Sequence, residues 1–386
     1  MLAVEVVLFG LALWLGLYLI RREPRSSRLR LAALSLLAYA LGLGCELLRG
    51  VNPTLLLARL TWVVFVLPLL LVLALAWRTR PRTLPRVLRF VSPALVLLLI
   101  VSTGLTLADP AWFPRFRGAA LLGVGLIALG ILLVRLEARD QGEVLTPDLL
   151  SSLDFALCAG LVFAGPVALV MLLATGPTLP LVLLLLVTLT LAIATQVFSS
   201  QIAAFSDRLA LAAFPQLRRA RADLRATADA LPRLNQALDL QKLDEAEFIR
   251  LTRRAFSFYS DLAWLTASPL TTMPLIEERL AARGAKMDAL ERAIELKALL
   301  TECIERLKPP QKGDFGTSPE WRYYNALYFP YVVGLRPYSL RSQQAPADPT
   351  DQAALLWFRT QVPERTLHHW QNAATILIAQ ELRRSI

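Results

Sequence analysis

The sequence predicts an all-α protein: a seven-transmembrane-helix bundle over residues 1–199, a connector over 200–238, and a helical domain over 239–386. Three observations predict it. Apolar runs of about twenty residues, the length that crosses a bilayer as a helix, recur through the first half and stop near Phe198. Charge divides at the same place: residues 1–199 carry 16 Arg and no Lys against 9 Asp and Glu, whereas residues 200–386 carry 25 Lys and Arg against 21 Asp and Glu. Beyond Phe198, apolar residues recur at three and four positions, the helical period, and no alternating strand pattern appears. The whole-chain averages, a net charge of +11 and a mean hydropathy of +0.50 over 386 residues, blend these two halves. Most of the positive charge sits in loops between apolar runs, so it reads first as a topology signal.

The first span covers about 2–20 and is followed at once by Arg21, Arg22 and Arg25. A signal peptide carries its charge before the apolar core, so this segment reads as an uncleaved anchor with its N-terminus outside. Further spans are expected at about 31–48, 54–77, 90–107, 119–135, 155–175 and 180–198. The loops bearing Arg21 to Arg30 and Arg78 to Arg89 are basic, and 49–53, 108–118 and 176–179 are weakly charged. That alternation gives an N-terminus outside and a C-terminus inside, with Trp112 and Phe113 at the outer interface. The loop 136–154 is mixed in charge and carries no such signal.

In the connector, Ile202, Phe205, Leu209 and Ala212 repeat at helical spacing, and Leu217, Leu224 and Leu231 at seven after Pro215. An amphipathic connector explains this, as does a signalling helix that pairs with a second subunit in a homodimer. Beyond it, helices are expected over Asp244 to Trp264 and Met287 to Leu307, the latter with a Glu302–Arg306 surface pair. The aromatic cluster Trp321 to Tyr331 reads as core. A short helix from Asp351 to Arg359, a turn at Gln361-Val362, and a final helix from Pro363 to Arg384 complete the chain.

Catalysis is not expected. The sequence lacks a glycine-rich phosphate loop, a His-Glu-x-x-His motif and a nucleophile elbow. Cys45, Cys158 and Cys303 stand singly, and His368 and His369 point about 100° apart on a helix, so neither a metal site nor a cofactor is implied. The absence of paired broken helices and internal repeats argues against a transporter. Within the membrane, Glu46 and Arg59 lie on neighbouring spans toward the outer side, a candidate ion pair and the default place to look for sensing.

The last fifty residues have the parts of a helix-turn-helix, whose second helix enters the major groove with its N-terminal residues on base edges. Here those are Arg365, Thr366, His368, His369 and Asn372; Arg can read guanine and Asn adenine. Residues 341–386 carry only five Arg against four carboxylates, little for phosphate neutralisation, so docking to a protein stays open beside DNA.

Two resemblances arise from these segments. Leu15 to Ile20 with Arg21-Arg22-Glu23-Pro24-Arg25-Ser26 resembles the opening of the seven-helix sensor module that precedes bacterial histidine kinases and cyclases, over about residues 1–199. It implies a receptor in the bacterial cytoplasmic membrane feeding a cytoplasmic output. No phospho-acceptor helix or ATP-binding glycine box follows, so kinase activity does not carry over. Over about 245–384, Ser268-Pro269-Leu270, the helix Glu291 to Leu307, Tyr324 to Tyr331 with Gly334-Leu335, and Pro363-Glu364-Arg365-Thr366 with Trp370 and Ala373-Ala374 resemble a bacterial regulatory module. That module ends in a helix-turn-helix like the fourth region of sigma factors. It implies DNA binding, as in a membrane-tethered transcription regulator, or a regulatory protein contact, as in a signalling adaptor.

Overall fold

The computed structural model describes residues 2–23, 26–78, 86–108, 110, 112–141, 145–230, 240–310, 313–338 and 348–384. Among them every regular element is helical. The chain divides into two compact units: Met1–Glu137 with Leu145–Ala210, and Ala138–Val144 with Leu211–Ile386.

The first unit contains α1 (Leu2–Arg22), α2 (Ser27–Val51), α3 (Leu55–Arg78), α4 (Arg86–Ala108), most of α5 (Arg115–Gln141), α6 (Thr146–Val170), α7 (Leu179–Val197) and α8 (Ser199–Ala210). Six helices are long and apolar enough to cross a membrane: Leu2–Arg22, Ser27–Val51, Leu57–Leu75, Arg115–Ala138, Thr146–Thr175 and Leu179–Val197. The span expected at 90–107 falls on α4, whose described apolar part, Ala94–Ala108, is shorter. The surface of this unit carries large apolar residues such as Val63, Leu161, Leu172 and Leu173, the inverse of a water-soluble exterior and compatible with a multi-pass membrane protein.

Helix ends follow local chemistry. The Ser26 side chain caps α2, and Pro147 and Pro180 occupy opening turns of α6 and α7, where a missing N–H costs nothing. Pro166 lies inside α6, five residues before a π-helical turn at Met171–Thr175, and Gly176 then reverses the chain at φ 70°. Positive φ suits glycine because it has no Cβ. Around the core, α1 packs on α2 and α7, α2 on α3, and α6 on α7. Gly123 of α5 lets Tyr39 of α2 approach: a Cβ there would collide with the Tyr39 hydroxyl. That hydroxyl donates to the Ala119 carbonyl at 2.7 Å, so the middle of α2 is pinned to the start of α5.

The structure revises several expectations in this half. The loop expected at 136–154 is largely helix, because α5 continues to Gln141 and α6 begins at Thr146. The connector is interrupted after Ala210, and Pro215 opens a separate helix, α9 (Pro215–Ala230), that packs against the second unit's own helices. Leu231, the last residue of the expected heptad series, lies outside the described residues.

The second unit continues with α10 (Glu245–Ser257), α11 (Leu262–Thr266), α12 (Pro274–Arg283), α13 (Ala289–Glu305), α14 (Arg322–Leu327), α15 (Pro349–Gln361) and α16 (Glu364–Arg384). The expected helix Asp244 to Trp264 is two helices. Its chain turns at Phe258, Asp261 caps the Trp264 N–H, and Phe258 stacks on Trp264 with centroids 4.7 Å apart. Asp288 caps α13 by accepting from the Glu291 N–H at 2.8 Å. Two cores result. The larger joins α10, α12, α13 and the C-terminal half of α16 through Phe248, Leu251, Phe256, Ile276, Leu280, Leu296, Leu300, Ala374 and Ile378. The smaller joins the end of α14, α15 and the start of α16 through Ala326, Phe329, Trp357, Phe358, Val362 and Leu367. Of the aromatic cluster, Trp321, Tyr324 and Phe329 are core as expected.

Candidate functional site

Three polar centres distinguish this molecule, two in the first unit and one in the second. The first lies between the last turn of α1 and the first turn of α6. Trp14, Tyr18 and Arg22 are four residues apart and share one face of α1; Asp148 and Ser152 share one face of α6. Tyr18 donates its hydroxyl proton to Asp148 Oδ2 at 2.6 Å, and Arg22 Nη1 meets the same oxygen at 2.6 Å. Arg22 Nη1 also donates to the Tyr18 hydroxyl at 3.0 Å, and Trp14 Nε1 donates to Ser152 Oγ at 3.1 Å. Both charged residues are buried, at 2% and 7% exposure. Helix dipoles favour the arrangement, since Arg22 ends one helix and Asp148 begins another. Sequence reading missed this centre because Arg22 stands among arginines read only as a loop charge. The four-residue spacing of Trp14, Tyr18 and Arg22 was the available signal.

The second centre lies at the opposite end of α2 and corrects the expected Glu46–Arg59 pair. Glu46 Oε1 accepts from Arg49 Nη2 at 3.0 Å and stands 3.5 Å from Arg115 Nε, whereas Arg59 is exposed. The reason is the pinning of α2 on α5: Tyr39 meets Ala119, so Glu46, two turns on, meets Arg115, one turn back. Glu46 Oε2 and Arg115 Nε and Nη2 are buried and make no hydrogen bond, leaving an acceptor and donors unsatisfied in this centre.

The third centre is the C-terminal unit's α15–turn–α16. Val362 and Pro363 form the turn, and the Pro363 carbonyl accepts from the Leu367 N–H at 3.1 Å. Arg365, His368, His369 and Asn372 are exposed and Thr366 is half-buried, so the five sequence-predicted residues occur on the accessible N-terminal half of α16. His368 Nδ1 lies 3.1 Å from Gln371 Oε1, and its Nε2 is 3.9 Å from Glu364. Gln371 in turn donates to the Ala326 carbonyl at 3.2 Å, tying α16 to α14. On the other side Leu367 is buried and Trp370 stacks on Trp357, centroids 6.0 Å apart and planes 17° from parallel. Leu377 is exposed, and Leu367, Ala374, Ile378 and Leu382 form the buried stripe of the helix.

The second unit also holds an ion network away from that surface. Arg279 of α12 donates Nε to Glu295 Oε1 at 2.6 Å and meets both carboxylate oxygens of Glu302, with Nη1 at 2.8 Å from Oε2. Arg283 Nη1 lies 2.9 Å from Glu295 Oε2. The hydrogen bond from Arg279 holds the Glu302 carboxyl below the usual carboxylate range. Arg306, expected to pair with Glu302, pairs with Glu381 of α16 at 2.5 Å, because Arg279 already fills both Glu302 oxygens.

No protein-family model, curated protein or solved structure matches the chain.

Proposed function

We propose that this chain is a membrane-bound signal-transduction protein of the bacterial cytoplasmic membrane that acts as a membrane-tethered transcription regulator. In this reading α4 supplies a seventh span: its 23 residues rise roughly 35 Å, enough for a bilayer core. The N-terminus then lies outside and the C-terminal unit in the cytoplasm. Input is read near Glu46 and Arg115, where the free acceptor and donor suit a polar ligand or a change in charge. Output is read at α16.

The observation that carries the output is the division of α16 into two faces. Leu367, Ala374 and Ile378 anchor it, while Arg365, His368, His369 and Asn372 stand free of the core over its first turns. A recognition helix needs that division, since the side chains that read base edges must be held rigid and yet exposed. The three-element core of α14, α15 and α16 supplies the rigidity.

A second reading is an adaptor that docks a protein partner. It is favoured by Leu356 and Leu377, both exposed on the same pair of helices, and by the small net charge of residues 341–386. The two readings separate in one experiment. Full-length protein in neutral-lipid nanodiscs is titrated with a pool of genomic DNA fragments at low and moderate salt, beside Arg365→Ala and Asn372→Ala. Salt-dependent binding that both substitutions weaken, by about 1–3 kcal/mol each, supports the regulator. No binding even at low salt rejects it and leaves the adaptor.

A further inference from the structure

We infer that α7 and α8 form one continuous seam on which a second copy of this chain packs in parallel. Leu184, Thr188, Leu191, Thr195, Phe198, Ile202, Phe205 and Leu209 follow one another at alternating steps of four and three, the spacing of a left-handed helix pair. The exposed members include Leu184 at 47%, Leu191 at 61%, Ile202 at 49%, Phe205 at 62% and Leu209 at 67%. The opposite face, at Leu186, Ile193 and Asp207, is buried. The seam thus points away from the bundle at Leu184, Leu191, Thr195, Ile202, Phe205 and Leu209, with Thr188 and Phe198 half-buried between them.

Lipid alone does not account for it. The 19 residues of α7 rise roughly 28 Å and use up the bilayer core, so Ile202, Phe205 and Leu209 extend past it. Phe198 turns between the two helices (φ −98°, ψ 19°), but its N–H still bonds to the Ala194 carbonyl and its carbonyl accepts from the Ile202 N–H, which keeps the helical spacing across the junction. An interfacial helix lying on anionic lipid carries a cationic polar face, but the polar residues of α8 are Ser199, Ser200, Gln201, Ser206, Asp207 and one basic residue, Arg208. What covers an apolar stripe in the same register through lipid and then water is a second helix that makes the same passage in the same direction. Every copy of this chain inserted with one topology supplies that helix, about a two-fold axis along the membrane normal. The chemistry of the seam agrees. One set of positions is Thr188, Thr195, Ile202 and Leu209, the other Leu184, Leu191, Phe198 and Phe205, a mostly β-branched row beside a Leu and Phe row, as in two-stranded pairs. Both threonine hydroxyls are satisfied by their own helix, at 2.8 Å to Leu184 and Leu191 carbonyls, which leaves their compact faces free for close packing. This seam differs from the Leu217 and Leu224 pair on α9, which belongs to the other unit. It rests on α7 crossing the membrane and not on what α16 contacts.

The test is a cysteine scan of full-length protein in membranes. Cys45, Cys158 and Cys303 are first replaced by alanine, and the variant is retained only if its thermal unfolding matches the parent. Single cysteines from Leu184 to Leu209 are then oxidised and disulfide dimers quantified. The seam predicts maxima at Leu191, Thr195, Ile202, Phe205 and Leu209, and minima at Leu186, Ile193 and Asp207. The pair Phe205→Glu with Leu209→Glu should lower the cross-link at Thr195→Cys by about tenfold, because like charges then face each other across the axis. Maxima confined to 184–198 mean that α8 lies on lipid, and yields without a repeat mean random collision; either result overturns the seam. A loss of DNA binding leaves it untouched.

Discussion

Arg22 and Asp148 of the first unit are both buried, each the other's partner at 2.6 Å, with Tyr18 closing the triangle. In the second unit the buried partner is a single carboxylate, Glu295, and the arginines that meet it, Arg279 and Arg283, reach in from the surface at 31% and 51% side-chain exposure. The difference reflects solvent. An arginine beside water can bury its stem and keep its head hydrated, so its charge is only partly desolvated. A charge deep in an apolar bundle has no such outlet, and its partner must come from another helix. At Arg22 and Asp148 the first unit therefore buries both partners together, whereas the second spreads its charges over a network that reaches the surface.

That comparison ranks what substitutions should do. The largest effect is expected from Asp148→Ala, which removes the carboxylate beside a buried guanidinium and should destabilise the first unit by about 3–5 kcal/mol. Hydrogen exchange on the full chain, read by peptides of each unit, checks it; protection should fall in α1 and α6 and stay in α10 to α16. Arg22→Met combined with Asp148→Leu should recover most of the loss, since the buried charges leave together. If the double variant is as unstable as the single, the pair is not what holds those helices.

A smaller loss, about 1–2 kcal/mol, is expected for Glu295→Gln, because Arg279 and Arg283 can turn to water and Arg279 keeps Glu302. Equal losses for Asp148→Ala and Glu295→Gln would erase the distinction between the two units. Smaller still is a pH effect at Glu302. Its carboxyl is held below the ordinary value of 4.5 by Arg279. A lowered folded-state pKa contributes stability that is present above the unfolded-state value and lost as pH falls through the folded one. Acid unfolding of the second unit should therefore be steeper below about pH 4.5 in the parent than in Arg279→Ala, where Glu302 loses its partner. Least of all, Arg365→Ala and Asn372→Ala should leave unfolding within about 0.5 kcal/mol of the parent, being exposed on α16. A larger loss would make them structural and remove the basis for reading that face as an output.

The helical class and the positions of the apolar spans were legible because both rest on long runs and on period, signals that survive without knowledge of contacts. The two closing helices and the turn between them were legible for a similar reason: Pro363 punctuates them, and Leu367, Trp370 and Ala374 mark a face. Partner choice was not legible. Glu46 has arginines at 49, 59 and 115, and only the close approach at Gly123, which aligns α5 with α2, selects Arg115 over Arg59. Arg22 was hidden by its neighbours, since a buried arginine and a topology-setting one look alike in a basic run. The break between α10 and α11 carries neither Gly nor Pro; it is held by the Asp261 cap and by the Phe258–Trp264 stack, interactions that a periodicity count does not register.

In the proposed seven-span arrangement, with input on one side of the membrane and α16 on the other, α4 is the helix that decides the topology. Single cysteines at Asn52 and Trp112, in the connections before α3 and before α5, are introduced into the cysteine-free chain and labelled in intact cells with an impermeant maleimide. If α3 and α4 both cross, Asn52→Cys and Trp112→Cys label from the same, outer side, and Arg384→Cys labels only after permeabilisation. Labelling of Asn52→Cys and Trp112→Cys from opposite sides would mean that α4 does not cross, which contradicts the seven-span arrangement and the placement of the C-terminal unit in the cytoplasm.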